Sequence, residues 1–293
     1  MSSRTTAEVP RSSPSPASVL DEAQTTAGRY AEQSGVVVRL LASPAEMAAA
    51  AALLADVWGM EAKHSRLDPS MLVAMVHSGN YVAGAFVDDA LVAASVGFFH
   101  PPLAHAMHSH ITGVLRAYSG HGIGAALKFH QRAWCLERSV TTMTWTFDPL
   151  VARNAYFNLR KLGGRAVAYL PDFYGPMLDE LNLGQPSDRM LLEWDLASPV
   201  VRAAPLEQPA VALLLRGPEG PIIGSAPADG VDAIRIDLPE DVEALRARDA
   251  TTARAWRDAL RSVTTGLLAD GWQLTDFDRR GFYRAERTTH AHP

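Results

Sequence analysis

The stretch Val114-Leu115-Arg116-Ala117-Tyr118-Ser119-Gly120-His121-Gly122-Ile123-Gly124 decides how the chain is read. It grows out of an apolar run, His108 to Leu115. It leads into a segment whose apolar positions Ile123, Leu127 and Trp134 share one helical face. A strand, a glycine turn and a helix are predicted in that order. Glycine permits the tight turn and lets backbone N–H groups approach a ligand closely. The helix N-terminus behind it adds partial positive charge, so the segment can cradle a pyrophosphate without a basic side chain. A tight turn that binds nothing is the competing reading. A Walker A loop is excluded, because no Gly-Lys-Ser/Thr follows the glycines. A dinucleotide fingerprint can be laid on Gly120-x-Gly122-x-x-Ala125, with Asp148 closing the next strand and an NAD(P)-dependent oxidoreductase as the consequence. Against it, Arg116 to Ser119 separate the strand from the first glycine, and an antiparallel hairpin precedes the turn. That fingerprint normally opens a parallel βαβ unit directly after its strand.

Upstream, Tyr81 to Val87 and Leu91 to Phe99 are apolar runs joined by Asp88-Asp89-Ala90, a hairpin signal. Ser43-Pro44-Ala45-Glu46 supplies an N-cap, a proline at the first helical position and the glutamate of a capping box. It predicts a helix that stops at Gly59. Asp68-Pro69 begins a second helix, ended by Gly79, and Val36 to Leu41 is a short strand. Residues 1–33 are rich in Ser, Thr, Pro and Ala and predict a disordered tail. Downstream, Thr141 to Phe147 is a β-branched and aromatic strand. Asp148-Pro149 caps a helix that Gly163-Gly164 ends. Arg165 to Tyr169 and Arg189 to Leu196 are strands around a long loop. Beyond a linker-like stretch, Ser198 to Pro209, lie two strands, Val211 to Arg216 and Ala233 to Leu238. A helix with Trp256, Leu260, Val263 and Leu267 on one face follows, and then a closing hairpin, Trp272 to Glu286. No tandem repeat is present.

The glycine segment resembles the acetyl-CoA-binding segment of the GNAT superfamily of acyltransferases. The Gln/Arg-x-x-Gly-x-Gly/Ala signature falls on Ser119-x-x-Gly122-x-Gly124. The order of elements from about residue 36 to 196 agrees, and Asn158-Leu159-Arg160-Lys161-Leu162-Gly163 resembles the second cofactor helix. The C-terminal extension, with Trp256-Arg257 and the final hairpin, is similar to that of uncharacterised bacterial members. The resemblance implies an α/β (α+β) fold: a mixed, mostly antiparallel sheet flanked by helices over residues 34–197, with a C-terminal α+β extension over 198–293. It implies acetyl-CoA or another acyl-CoA as co-substrate, no metal, and an amine of a small molecule as acceptor, attacked directly in a ternary complex. Backbone groups of Val114 and Leu115 would meet the pantetheine arm, with Asn154 as a side-chain candidate. Ser119, Gly120, Gly122, Ile123, Gly124 and Ala125 would hold the pyrophosphate. Ser119 stands where Arg or Gln is usual, and Gly164 where an aromatic is usual.

Acyl transfer needs a positioned thioester, a base for the amine and an acid for the leaving thiolate. Many members place a tyrosine acid where this chain has Leu159. Tyr156 and Tyr174 are the candidates to replace it. His110 is the candidate base, with His108 beside it on a strand where 108, 110 and 112 should share a face. A histidine satisfied within the core is the bland alternative. His100, His105, His108 and His110 form a cluster without an interleaved carboxylate, so a metal site is not inferred. Glu61 could meet a cationic acceptor, and the loop Leu170 to Asp188 could shape its pocket. A non-catalytic acyl-CoA-binding module is the alternative function.

Composition bounds these readings. The 293 residues are 47% apolar, enough for about two domains. A net charge of −5 argues against a nucleic-acid surface. One cysteine, Cys135, excludes a disulfide framework. No apolar run is long enough for a membrane span, so a cytoplasmic setting is expected. The basic residues are 24 arginines and three lysines, Lys63, Lys128 and Lys161, which reads as base composition rather than chemistry. The extension could complete the sheet, cover the acceptor side or make a homodimer.

Overall fold

The structure, a computed structural model, describes residues 15–60, 67–101, 104–175, 185–199, 210–226, 228 and 230–287. Its seven-stranded sheet is built from β1 (Val37–Leu40), β2 (Tyr81–Val87), β3 (Ala90–Phe99), β4 (Ala106–Val114), β5 (Thr142–Phe147), β6 (Arg165–Leu170) and β7 (Arg189–Asp195). The strand order is β1-β2-β3-β4-β5-β7-β6. Every neighbouring pair is antiparallel except β4 and β5. These two are joined by the glycine turn and α4 (Ile123–Leu136). Their parallel pairing lasts three residues: Ala106↔Thr142, Met107↔Met143 and His108↔Thr144. Beyond that, β4 keeps its ladder with β3 and β5 keeps its ladder with β7, so the two strands part into a wedge.

Helices cover both faces. On one lie α2 (Pro44–Val57), with the capping box as the sequence predicts, and α3 (Pro69–His77), capped by Asp68. Leu54, Leu72, Val82, Ala94 and Val96 form their shared core. On the other lie α4 and a helix that composition concealed. Of residues 1–33, expected as a disordered tail, 1–14 lie outside the described residues and 16–33 are α1 (Pro16–Gln33), capped by Ser15 with Pro16 in the first turn. Tyr30 stacks on Phe129 of α4 with centroids 4.3 Å apart, and Glu22 meets the buried Arg132 guanidinium at 2.6 Å. The small residues Ala23, Thr26 and Ala27 let the two helices approach, and small residues are also what made the segment look unable to fold.

After β5 the chain does not form the single α-helix expected from Asp148-Pro149. Val151 caps a short α5 (Ala152–Ala155), which runs on as a π-helical segment, Tyr156–Lys161. A second sheet follows, order β11-β12-β10-β8-β9, from β8 (Val211–Gly217), β9 (Gly220–Ile223), β10 (Ala233–Asp237), β11 (Trp272–Asp278) and β12 (Phe282–Arg287). Strand β9 was not foreseen. The helices α6 (Val242–Arg248) and α7 (Ala250–Ala269) complete this part, and Trp256, Leu260, Val263 and Leu267 are buried as their spacing requires. The core is continuous, with α7 and the second sheet packing into the apolar cluster of β5, α5 and β7.

Charge fastens this joint. Asp148 is buried and accepts Arg246 at 2.5 Å and Arg257 at 2.9 Å. Burial alone would raise its pKa, but the two guanidiniums hold it well below the usual carboxylate range. Arg153 pairs with Glu243, Arg160 with Asp276, and the Tyr283 hydroxyl donates to the Pro149 carbonyl at 2.6 Å.

Candidate functional site

The wedge between β4 and β5 organises the site. In β4, Val96 pairs with Ile111 and Gly97 with Ser109, so His110 is the extra residue of a β-bulge. The bulge reverses the alternation of side chains. His108 and His110 do share a face, each against the Phe98 ring at 5.3 and 5.6 Å. Thr112, expected beside them, turns to the opposite face and shares a 2.8 Å hydrogen bond with Ser95.

On the histidine face, Thr144 Oγ1 meets His100 Nε2 at 2.9 Å and His108 Nδ1 at 3.2 Å. Thr146, two residues on and therefore on the same face, meets the Tyr174 hydroxyl at 3.1 Å. Tyr174 is held by its amide on Ser187 Oγ, 2.8 Å, and by Arg189 over its ring. Burial, with His110, His100 and Lys128 adding repulsion, pushes His108 down to about 4. His108 is therefore neutral at neutral pH, while His110 is exposed beside it. The structure thus brings His110 and Tyr174 to one face of the wedge. It does not bring Tyr156 there: that hydroxyl accepts from Arg279 Nε at 2.8 Å, in the turn of the closing hairpin. Leu159 is buried apolar core. Glu61 lies outside the described residues, as does 176–184 of the long loop.

The glycine turn is left open to a ligand. Gly120 and Gly122 have φ of 85° and 86°, the left-handed region, and Gly122 is the N-cap of α4. Among the described residues, no protein acceptor meets the amides of Gly120, His121, Gly122, Ile123 and Gly124. Unpaired donors at a helix N-terminus are an anion site. Three expected members drop out because their groups serve the fold. The Ala125 amide donates to Gly122 O at 2.9 Å, and the Ser119 amide to Arg116 O at 3.2 Å. The Leu115 amide donates to Val92 O at 3.0 Å, and its carbonyl accepts from Tyr118 at 2.8 Å. Because antiparallel neighbours alternate, the backbone groups of Val114 then point away from β3, into the wedge. The Ile123 side chain is core, so its contribution is the amide. Asn154 is half-buried on α5. Asp148, spent on Arg246 and Arg257, is unavailable to a ribose, which removes the dinucleotide reading.

A buried polar chain on the α4 face was missed. Lys128 Nζ donates to Ser109 Oγ at 2.7 Å, and Ser109 donates to Gln131 Oε1 at 2.8 Å. The same ammonium stands 4.1 Å from the centre of the Trp145 ring, whose Nε1 donates to Asn158 Oδ1 at 3.2 Å. Burial drives Lys128 down to about 7, with Cys135 opposing. Lys128 follows Leu127 on the buried arc of α4, and it is a lysine in an arginine-dominated chain. Both signals were in the sequence.

Residues 24–157 match the family model described as an acetyltransferase (GNAT) domain. A search of curated proteins gave no match. Among solved structures, yncA of Salmonella typhimurium, determined with its cofactor acetyl-CoA, is 15% identical, with 58% of this chain and 99% of that chain covered and a TM-score of 0.45. The ribosomal-protein-S18-alanine N-acetyltransferase of Escherichia coli is 12% identical, with coverage of 59% and 98% and a TM-score of 0.45. An N-acetyltransferase of Staphylococcus aureus Mu50 is 13% identical, with coverage of 55% and 98% and the same TM-score.

Proposed function

Given that the chain carries an acetyltransferase domain of the GNAT family over residues 24–157, we propose that it transfers an acetyl group from acetyl-CoA to the amine of a small molecule, by direct attack in a ternary complex. The observation that carries this reading is the open row of amides from Gly120 to Gly124 at the mouth of the β4–β5 wedge. A pyrophosphate held there sends the pantetheine arm along the free edge of β4, where Val114 offers its backbone groups. The thioester then lies between the bulge at His110 and the start of the parted strands.

The acceptor enters from the face bearing His110, Thr144, Thr146 and Tyr174. His110, exposed on that face, takes the proton that the amine loses; His108, held neutral and poorly basic, orients against Thr144 instead. Most of the acceleration comes from positioning. A binding module without turnover is the second reading, favoured by the buried Leu159 at the usual acid position.

Calorimetric titration with acetyl-CoA tests the donor site. A Cβ at Gly124 would meet nothing within 4 Å, so Gly124→Glu folds normally and puts a carboxylate into the anion cradle. The expected result is a loss of affinity of at least tenfold with unchanged thermal unfolding. Unchanged affinity would contradict the cradle. Thiol release with a panel of amines separates the enzyme from the binding module.

A further inference from the structure

Lys128 stands at the apex of the wedge. The last paired residues of β4 and β5 are His108 and Thr144. The first unpaired residues, Ser109 and Trp145, are the two that hold the Lys128 ammonium, at 2.7 Å from a hydroxyl and 4.1 Å from a ring centre. A charged side chain is costly to bury where no carboxylate answers it. Among the described residues, the groups facing Lys128 are Ser109 on β4, Trp145 on β5, and Gln131 and Cys135 on its own helix, while His108, on the other face of β4, adds repulsion through the sheet. None is an ordinary anion at neutral pH: the Cys135 thiol is pushed up to about 12 by burial. Gln131 Nε2, also buried, has no hydrogen-bond partner among the described residues.

We propose that Lys128 is the catalytic acid of the transfer, donating its proton to the thiolate that leaves the acyl donor. This rests on the acetyl-CoA reading above. The amine nitrogen forms its bond to the thioester carbonyl carbon, the C–S bond breaks with its electron pair on sulfur, and Lys128 protonates that sulfur to give the free thiol. The proton lost by the amine leaves through His110 or water, and neutral Lys128 regains one from solvent. Tyr156 is committed to Arg279 and Tyr174 to the opposite face, and the usual tyrosine's position holds the buried Leu159, so the acid comes from the α4 face, where Lys128 stands at the apex of the wedge. The low pKa, about 7, suits an acid that must release its proton near neutrality.

The test uses coenzyme A itself and needs no acceptor. The pH titration of its thiol is followed in the complex by thiolate ultraviolet absorbance. The chain's one cysteine stays protonated to about 12 and contributes no signal. In the wild type the bound thiol should titrate at least one pH unit below free coenzyme A. In Lys128→Met, with coenzyme A still bound by calorimetry, it should return to the free value, and in Lys128→Arg it should stay low. A wild-type thiol that titrates at or above the free value overturns the proposal without any variant. So does an acetyl adduct on Lys128 after incubation with acetyl-CoA, which would make the lysine a nucleophile. A wild type that binds no coenzyme A fails at the earlier step, the donor site, and is told apart by that.

Discussion

The glycine turn and the Asp148 joint solve opposite problems. The turn is made of backbone, and its amide donors meet no acceptor among the described residues. The joint is made of side chains, and its carboxylate is fully answered from within by Arg246 and Arg257. In the proposed function, a chain of net charge −5 holds an anionic donor through peptide dipoles rather than basic side chains. Arg246 and Arg257 serve cohesion. Lys128 falls between the two: a buried cation answered by a hydroxyl and an aromatic face rather than by a charge.

The contrast can be broken in four places, in order of decreasing effect. Asp148→Ala should be the most damaging, because it leaves two buried guanidiniums uncompensated. A loss of about 3–5 kcal/mol is expected in urea unfolding, and a loss below about 1 kcal/mol would mean the joint is ornamental. Lys128→Met should act in the other direction. In the folded state Lys128 titrates at about 7, against about 10.4 when unfolded. Above pH 7 the unfolded chain thus binds more protons, so wild-type stability should rise with pH by up to about 1.4 kcal/mol per unit. The window closes near pH 8.5, where unfolded Cys135 begins to ionise while folded Cys135 stays protonated to about 12, giving the opposite slope. Lys128→Met should be more stable than wild type at pH 7 and lose the slope; an unchanged slope between pH 7 and 8.5 contradicts the depressed lysine. A smaller effect is expected at Gly122. Alanine there adopts φ of 86° and brings Cβ to 2.8 Å from Ser34 Oγ. A cost of about 1–2 kcal/mol is expected. Gly124→Ala, in open space on the helix, should cost nothing measurable in thermal unfolding.

What was legible in the sequence is local. Ser43-Pro44-Ala45-Glu46 specifies the start of α2 because its cap bonds are made within four residues: the Ser43 side chain accepts from Glu46 N at 3.2 Å, and Glu46 returns the bond at 3.0 Å. The glycine turn is legible for the same reason. The bulge at His110 is not, because it is a property of the pairing between β3 and β4, and it sends Thr112 to the wrong face for a reader counting alternate residues. Helix α1 hides because its stability comes from α4, through Phe129 and Arg132, rather than from its own composition. Tyr156 was misassigned because its partner, Arg279, lies 123 residues away. Lys128 is marked in the sequence only by its rarity and its place on the buried arc of α4, and its role at the wedge emerges from the parting of β4 and β5.

The joint at Asp148 also sets a schedule. Arg246 and Arg257 follow it by 98 and 109 residues. At a synthesis rate of about 5–20 residues per second, the β5–α5 corner waits roughly 5 to 20 s on the ribosome before its counter-ions exist. Contacts of such long range form late in folding as well. The buried carboxylate of that corner therefore stays unanswered until the segment carrying Arg246 and Arg257 has emerged.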